Sequence, residues 1–151
     1  MQILGISIKK ILSEIKNPVK GQLEINSGLD LIDVKKDVLE PTKQPIIIID
    51  FDFTINYKPD KAKIELSGSL VLLDNENKTE EIMETWKKKK LPENIKTAVL
   101  NFILKKCNLK SLEIEDYMGL PLHVPFPKLG LSKEKIQNSE RKNPKTTNYT
   151  G

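Results

Sequence analysis

The side chains that most often serve in catalysis are scarce in this sequence. His123 is the only histidine and Cys107 the only cysteine, and they lie in different segments. His123 lies among prolines with no serine or cysteine close to it in sequence, which favours a structural role. Cys107 lies at a predicted helix end, where we expect a packed rather than a reactive thiol. One histidine and one cysteine do not complete a transition-metal site, so the sequence predicts neither a metal nor a cofactor.

The spacing that most suggests chemistry is that of Asp50 and Asp52 in the run IIIIDFDFT, residues 46–54. This run resembles the opening of haloacid-dehalogenase-type phosphohydrolases. The resemblance implies that Asp50 attacks phosphorus beside Mg²⁺ and that Asp52 protonates the leaving group. In that family the strand ends at the first aspartate, whereas apolar alternation here continues to Tyr57, and no later acidic pair completes the metal site. We therefore interpret both aspartates as the solvated face of a strand.

A basic run follows the only tryptophan, Trp86. The candidate nucleic-acid contacts are Lys87, Lys88, Lys89 and Lys90. The net charge of +4 favours acidic partners, but of the 25 basic residues only Arg141 is an arginine. Because lysine lacks the forked donor with which arginine reads bases, we expect weak, salt-sensitive binding of nucleic acid. The favoured interpretation is a solvated helix end with Trp86 packed inward.

The composition fits one globular domain. Of the 151 residues, 38% are hydrophobic and 30% charged, which is enough for a self-sufficient core. A single cysteine allows no internal disulfide and indicates a reducing compartment. The start of the chain lacks a secretory-signal pattern, and its apolar runs are far shorter than a membrane span. We expect a cytoplasmic protein that does not insert into membranes.

The elements that position these residues begin with strands. Residues 47–57 alternate apolar and polar side chains, and a second alternating run follows from Ala62 after a turn. Together they predict a long antiparallel hairpin over residues 47–73, in which Gly68 marks a bulge or a close backbone approach. Shorter upstream runs predict two or three more strands, with a turn at residues 26–28. The first of these runs also fits a helical stripe.

The period then changes to that of helices. Thr79 is predicted to begin one helix, and Pro92 begins a second that ends near Cys107. A third short turn ends at Gly119. Strands followed by helices predict an α+β fold, an antiparallel β-sheet with helices packed on one face. The polar, basic stretch 132–151 is predicted to be a disordered tail.

Residues 120–131 are apolar but interrupted by three prolines. Because proline cannot donate a ladder hydrogen bond, this segment cannot form a central strand. Its apolar side chains must therefore cover the domain's own core, contact another subunit or bind a partner. The sequence leaves these possibilities open.

The order of elements resembles that of the SecB-type protein-export chaperones: antiparallel strands with a long hairpin, an amphipathic helix, then a proline-rich apolar segment. The resemblance covers residues 1–131. It implies an oligomer of sheets stacked through helices, with apolar grooves that hold unfolded polypeptides. SecB proteins are acidic and dock their translocase motor through an acidic sheet face. This chain is basic, and Asp50, Asp52 and Glu65 are the acidic residues that it offers on such a face.

The sequence thus predicts a binding protein and not an enzyme: an ATP-independent, holdase-type chaperone of unfolded polypeptides, homo-oligomeric and linked through the resemblance to protein export. The candidate client-binding residues are Trp86, Tyr117, Met118, Leu120, Leu122, Val124 and Phe126. Apolar burial without precise polar readout suits a binder of many segments. The alternative is a basic accessory protein on RNA or a ribonucleoprotein, and the phosphohydrolase is the third hypothesis.

Overall fold

The computed structural model describes residues 1–127 and 129–130. Four antiparallel strands form one sheet in the order β1-β4-β3-β2, and two helices follow them in the chain. The elements are β1 (Gln2–Ile15), β2 (Glu24–Leu39), β3 (Gln44–Lys58), β4 (Ala62–Leu73), α1 (Glu76–Trp86) and α2 (Glu93–Met118). The predicted α+β fold is confirmed. The predicted tail, 132–151, and the last residue of the predicted domain lie outside the described residues.

The predicted hairpin forms the centre of the sheet. β3 and β4 pair along their whole length, from Ile46 opposite Leu73 to Tyr57 opposite Ala62. The apolar positions of both strands point to one face and are buried, because successive side chains in a strand alternate between faces. Both helices pack on this face, which we call the inner face. The opposite, outer face carries the polar positions.

Gly68 of β4 pairs with Ile8 of β1, and the predicted close approach of the two backbones is confirmed. A Cβ atom at Gly68 would lie 2.0 Å from the carbonyl oxygen of Ser7. The register of the two strands shifts opposite this point, between Ile8 and Lys10. The bulge and the glycine together let the backbones approach, as expected for a glycine inside a strand.

Two expectations for the first part of the chain are wrong. The helical stripe considered for the first run is not formed, since β1 extends through Ile15. The turn expected at residues 26–28 does not occur either, and β2 runs through it without a break. Gly28 pairs with Thr54, so the ladder satisfies the backbone groups that a turn would otherwise bond. Pairing with a long neighbour outweighs local turn propensity.

The helices also begin and end differently from the prediction. Asn75, not Thr79, caps α1, because its side chain accepts a hydrogen bond from the amide of Lys78 at 2.9 Å. Thr79 is instead buried inside the helix. α2 continues past Cys107 as one helix of 26 residues and ends at Gly119, which has φ 70. No helix in the described part of the chain is long and apolar enough to cross a membrane.

Candidate functional site

A groove lies between the edge strand β2 and the connection from α1 to α2; we call it the β2 groove. Its volume is about 510 Å³. The strand contributes residues 29–32, α1 contributes Trp86, α2 contributes Lys96 and Leu100, and the connection contributes Lys89, Lys90 and Leu91. Its lining residues are Leu29, Asp30, Leu31, Ile32, Trp86, Lys89, Lys90, Leu91, Lys96 and Leu100.

The wall of the β2 groove is the end of α1. Trp86 is the last residue of the helix and is 8% exposed, packed into the core. The chain then turns through Lys89, which has φ 58, a conformation that glycine adopts far more readily than lysine. This turn places the ammonium group of Lys89 5.0 Å from the centre of the Trp86 ring, within cation–π distance. The aromatic wall is therefore capped by a positive charge.

The four lysines predicted to contact nucleic acid are placed unequally. Lys87 is held by Glu84, with 2.8 Å between the ammonium nitrogen and the carboxylate oxygen, and this hydrogen bond raises the pKa of Lys87. Lys89 and Lys90 line the β2 groove. Lys88 is exposed outside it. Because Trp86 is buried beneath Lys89, it offers no open face on which a base could stack. Nucleic-acid contact stays a prediction.

A second groove, the β1 groove, lies at the opposite edge of the sheet, between β1 and the C-terminal part of α2. Its volume is about 610 Å³. Its lining residues are Ile11, Ser13, Lys110, Glu113, Ile114, Tyr117 and Met118. Lys110 and Glu113 pair across 2.9 Å, so the groove carries little free charge. Tyr117 is 92% exposed and Ile11 52% exposed, which leaves apolar surface open to solvent.

A buried polar cluster fixes the end of α2 and the segment after it. Glu115 is fully buried; its Oε1 lies 2.7 Å from His123 Nδ1, and its Oε2 accepts a hydrogen bond from the His123 amide at 3.1 Å. The Tyr57 hydroxyl contacts the Glu115 carboxylate and lies 2.8 Å from the carbonyl oxygen of Pro121. Asn108 Oδ1 lies 2.8 Å from His123 Nε2. Every member thus has a partner.

The environment of this cluster assigns it a structural role. Burial, together with the neighbouring carboxylate of Glu115, raises the pKa of Tyr57 well above its usual value, so the hydroxyl stays protonated. The ring of His123 packs edge-on against Phe53, with centroids 6.5 Å apart.

Cys107, the only cysteine, is also buried, and burial raises the pKa of its thiol to about 11. An uncharged thiol of this kind is a poor nucleophile at neutral pH.

Asp50 and Asp52 lie in the middle of β3, on its outer face, with the ladder continuing on both sides. The Ser69 hydroxyl donates to Asp50 at 2.6 Å and Lys35 at 3.3 Å, and these bonds, the first above all, lower the pKa of Asp50. Among the described residues, no group of three or more histidine, cysteine or carboxylate side chains could hold a metal ion. The strand-end geometry on which the phosphohydrolase hypothesis depends is not formed.

The predicted client-binding residues do not form one surface. Trp86 and Leu120 are largely buried in the core, and Trp86 also lines the β2 groove. Tyr117 and Met118 belong to the β1 groove. The rest lie along the segment after α2, where Leu122 is half-buried and Val124 and Phe126 are exposed. Contact of this set with a client stays a prediction.

The sequence prediction missed most of the lining of the β2 groove. Leu29, Leu31, Leu91 and Leu100 come from segments up to 71 positions apart, since 100 − 29 = 71. Ile32 offered one signal: it interrupts the alternation of β2 and coincides with the register shift between Leu31 and Asp33. A bulged residue of this kind projects out of the regular ladder.

Comparisons with known proteins address the fold. No protein-family model matches the sequence, and no curated protein matches it. Among solved structures, the chain is similar to a SecB-like chaperone of Mycobacterium tuberculosis in complex with a ChAD peptide from the HigA1 antitoxin. The TM-score is 0.54 at 12% identity, over 85% of this chain and 89% of that one. The fold is therefore SecB-like, with the four-stranded antiparallel sheet and two helices described above.

Proposed function

We propose that this protein is an ATP-independent holdase that binds extended segments of non-native polypeptides in its two grooves. The observation that carries the proposal is that each edge strand of the sheet borders an open, largely apolar groove, of about 510 Å³ beside β2 and about 610 Å³ beside β1. A non-native segment exposes unpaired amides and apolar side chains together. A strand edge next to an apolar groove can take up both.

The chemistry of the grooves supports a binder of many sequences. Apolar side chains make up six of the ten residues that line the β2 groove and four of the seven that line the β1 groove. Apolar burial is non-directional, so it does not require one defined ligand. The likeness of fold to a chaperone that was solved with a bound peptide supports the same class of ligand for this chain.

We further propose a cytoplasmic homo-oligomer. α2 exposes Phe102 and Leu109 on its outer side, at 39% and 56%, although its buried stripe already packs on the sheet. A helix with apolar residues on more than one side is stabilised when a second surface covers the remainder. A second copy would supply such a surface. Cys107, free and buried, suits a reducing compartment.

Light scattering by an aggregating client, with and without the protein and without ATP, tests the proposal. Wild-type protein is expected to suppress scattering. Ile32→Asp should weaken the suppression, because Ile32 is 51% exposed and lines the β2 groove. Val38→Asp is the matched control: it is on the same strand, 44% exposed and outside the groove. Tyr117→Asp tests the β1 groove in the same way.

The proposal is wrong if wild-type protein leaves client aggregation unchanged. It is equally wrong about the grooves if Val38→Asp weakens protection as much as Ile32→Asp does, or if a folded double variant, Ile32→Asp with Tyr117→Asp, protects like wild type. The mass of the particle, measured on the same samples by multi-angle light scattering, tests the homo-oligomer.

A further inference from the structure

The edge of β2 is blocked in one part and open in another. Near the α1 end of the strand, the carboxylate of Asp33 accepts a hydrogen bond from the Val34 amide at 2.9 Å, and Asp37 does the same for Val38 at 2.8 Å. These local bonds occupy donors that an added strand would use. Within residues 1–127, no side chain is bonded to the backbone of residues 29–32, the stretch that borders the β2 groove.

The two sides of this open stretch carry opposite charge. Lys89, Lys90 and Lys96 line the helix side of the groove, and none forms an ion pair with any described residue. By contrast, Lys36, farther along β2, is held by Glu76 and Glu80 of α1. The outer face of the sheet next to the open stretch is acidic, with Asp30 opposite Asp52. The helix side therefore attracts anions and the outer face repels them.

We propose that the β2 groove selects extended polypeptide segments whose apolar and acidic residues both occupy positions of the same parity, so that both kinds of side chain project from the same face. This inference rests on the proposed holdase function and specifies its client. The segment pairs with residues 29–32 as an added strand. Its groove-facing positions meet Leu29, Leu31 and Leu100 and then the three lysines, whereas its outward positions pass Asp30 and favour neutral or basic residues.

A polypeptide fits this surface better than a nucleic acid does. The open stretch offers backbone donors and acceptors in strand geometry, which complement a peptide backbone. A nucleic-acid strand needs aromatic platforms, and the tryptophan of this groove is buried under Lys89. Phosphates on the strand side would also approach Asp30.

The experiment uses two labelled peptides of identical composition and about eight residues, enough to pass the open stretch. In the first, leucines and glutamates occupy positions of the same parity; in the second, the glutamates are moved by one position to the opposite parity. Anisotropy titrations of the 151-residue chain are expected to show tighter binding of the first peptide. The preference should fall when salt is raised from about 0.1 M to about 1 M.

Two double variants with the same change in net charge locate the effect. Lys89→Glu with Lys90→Glu should weaken binding of the first peptide about tenfold, the size expected from losing and reversing a few exposed ion pairs. Lys20→Glu with Lys58→Glu, both exposed and outside the two grooves and the proposed subunit contact, should leave its affinity within about twofold.

Equal affinity for the two peptides, or equal losses in the two double variants, would overturn the selection by charge. The holdase proposal would survive that result if the protein still suppressed client aggregation. Tighter binding of an oligouridine of similar length than of either peptide would assign the groove to nucleic acid instead. If neither peptide binds and aggregation is unaffected, both proposals fail together.

Discussion

The β2 groove and the β1 groove are built from the same parts and differ in their charge. Each lies between an edge strand and part of α2, which the α1–α2 connection adjoins at β2. Lys89, Lys90 and Lys96 line the β2 groove, whereas in the β1 groove Lys110 is neutralised by Glu113. Apolar capture needs only the shared parts. From this comparison we expect general apolar capture at the β1 edge and charge selection at the β2 edge.

A single helix, α2, contributes to both grooves, and its buried stripe turns around it along its length. The buried residues of α2 recur every fourth position: Ile95, Val99, Ile103, Cys107, Ser111 and Glu115. With 3.6 residues per turn, each step of four advances the stripe by about 40°, and five steps by about 200°. The linings of the two grooves show that the first third of the helix borders β2 and the last third borders β1.

The two grooves also rest on different supports. The β2 groove is backed by apolar packing of Trp86 and Leu91, whereas the end of α2 beside the β1 groove is fixed by the polar cluster around Glu115. A satisfied buried cluster is stable, but it fails sharply when one member is removed. The β1 groove should therefore be the more sensitive to a single substitution.

Glu115→Ala is expected to have the largest effect, a loss of about 3–5 kcal/mol in the free energy of unfolding, because it leaves the Tyr57 hydroxyl and the His123 side chain buried without their partner. Urea denaturation measures the loss. Glu113→Ala, on the same helix with its side chain 70% exposed, should change stability by no more than about 0.5 kcal/mol. Equal losses in the two variants would show that the cluster is not the support.

Patterns that repeat along the chain could be predicted from the sequence, whereas contacts between distant residues could not. The central hairpin was predictable because burial imposes a period of two on β3 and β4, and Gly68 was predictable because a glycine inside such a run needs a backbone reason. The burial of Glu115 had no local signal, since its partner Tyr57 is 58 positions away. Asn108 and Ser111 interrupt the apolar stripe of α2, which made one helix look like two.

The grooves themselves were not predictable from pattern alone. They depend on which strands lie at the edges, and side-chain periodicity is the same for a central and an edge arrangement. The strand order β1-β4-β3-β2 leaves β1 and β2 at the edges and brings Trp86 to β2 and Tyr117 to β1. The sequence alone places those two aromatic residues in one set of candidate client-binding residues.

Two glycines, Gly68 in the β1–β4 pair and Gly28 in the β2–β3 pair, provide a second test. Gly68→Ala should cost about 1–3 kcal/mol, because the new methyl group would overlap the Ser7 carbonyl and push β1 away from β4. In the Ile32→Asp background, where protection depends on the β1 groove, it should also reduce suppression of aggregation.

Gly28→Ala is the control on the other edge. The nearest atom to its added Cβ would be Thr54 Oγ1 at 3.8 Å, an ordinary contact, so loss of glycine flexibility should stabilise the protein by about 0.5–1 kcal/mol. Thermal and urea unfolding of both variants give the comparison. If Gly68→Ala were as well tolerated as Gly28→Ala, the close backbone approach of β1 and β4 would not be required for the stability of the β1 edge.

The smallest effect is expected at the lysine turn that distinguishes the β2 groove. Lys89 and Lys43 both have positive φ, 58 and 60, so replacement by glycine should relieve about 1 kcal/mol at each. Lys89→Gly also loses the cation–π contact with Trp86, worth about 0.5–1 kcal/mol, and its net change should be close to zero. Lys43→Gly, in the turn between β2 and β3, loses an exposed pair with Glu40 and should retain most of the gain.

Urea denaturation of both variants measures stability, and anisotropy titration of the first peptide, with its leucines and glutamates at the same parity, measures binding. Only Lys89→Gly should weaken binding of this peptide. Equal stabilisation by the two glycines would mean that the ammonium group does not interact measurably with the indole ring, and unchanged peptide affinity would mean that a ligand does not reach it.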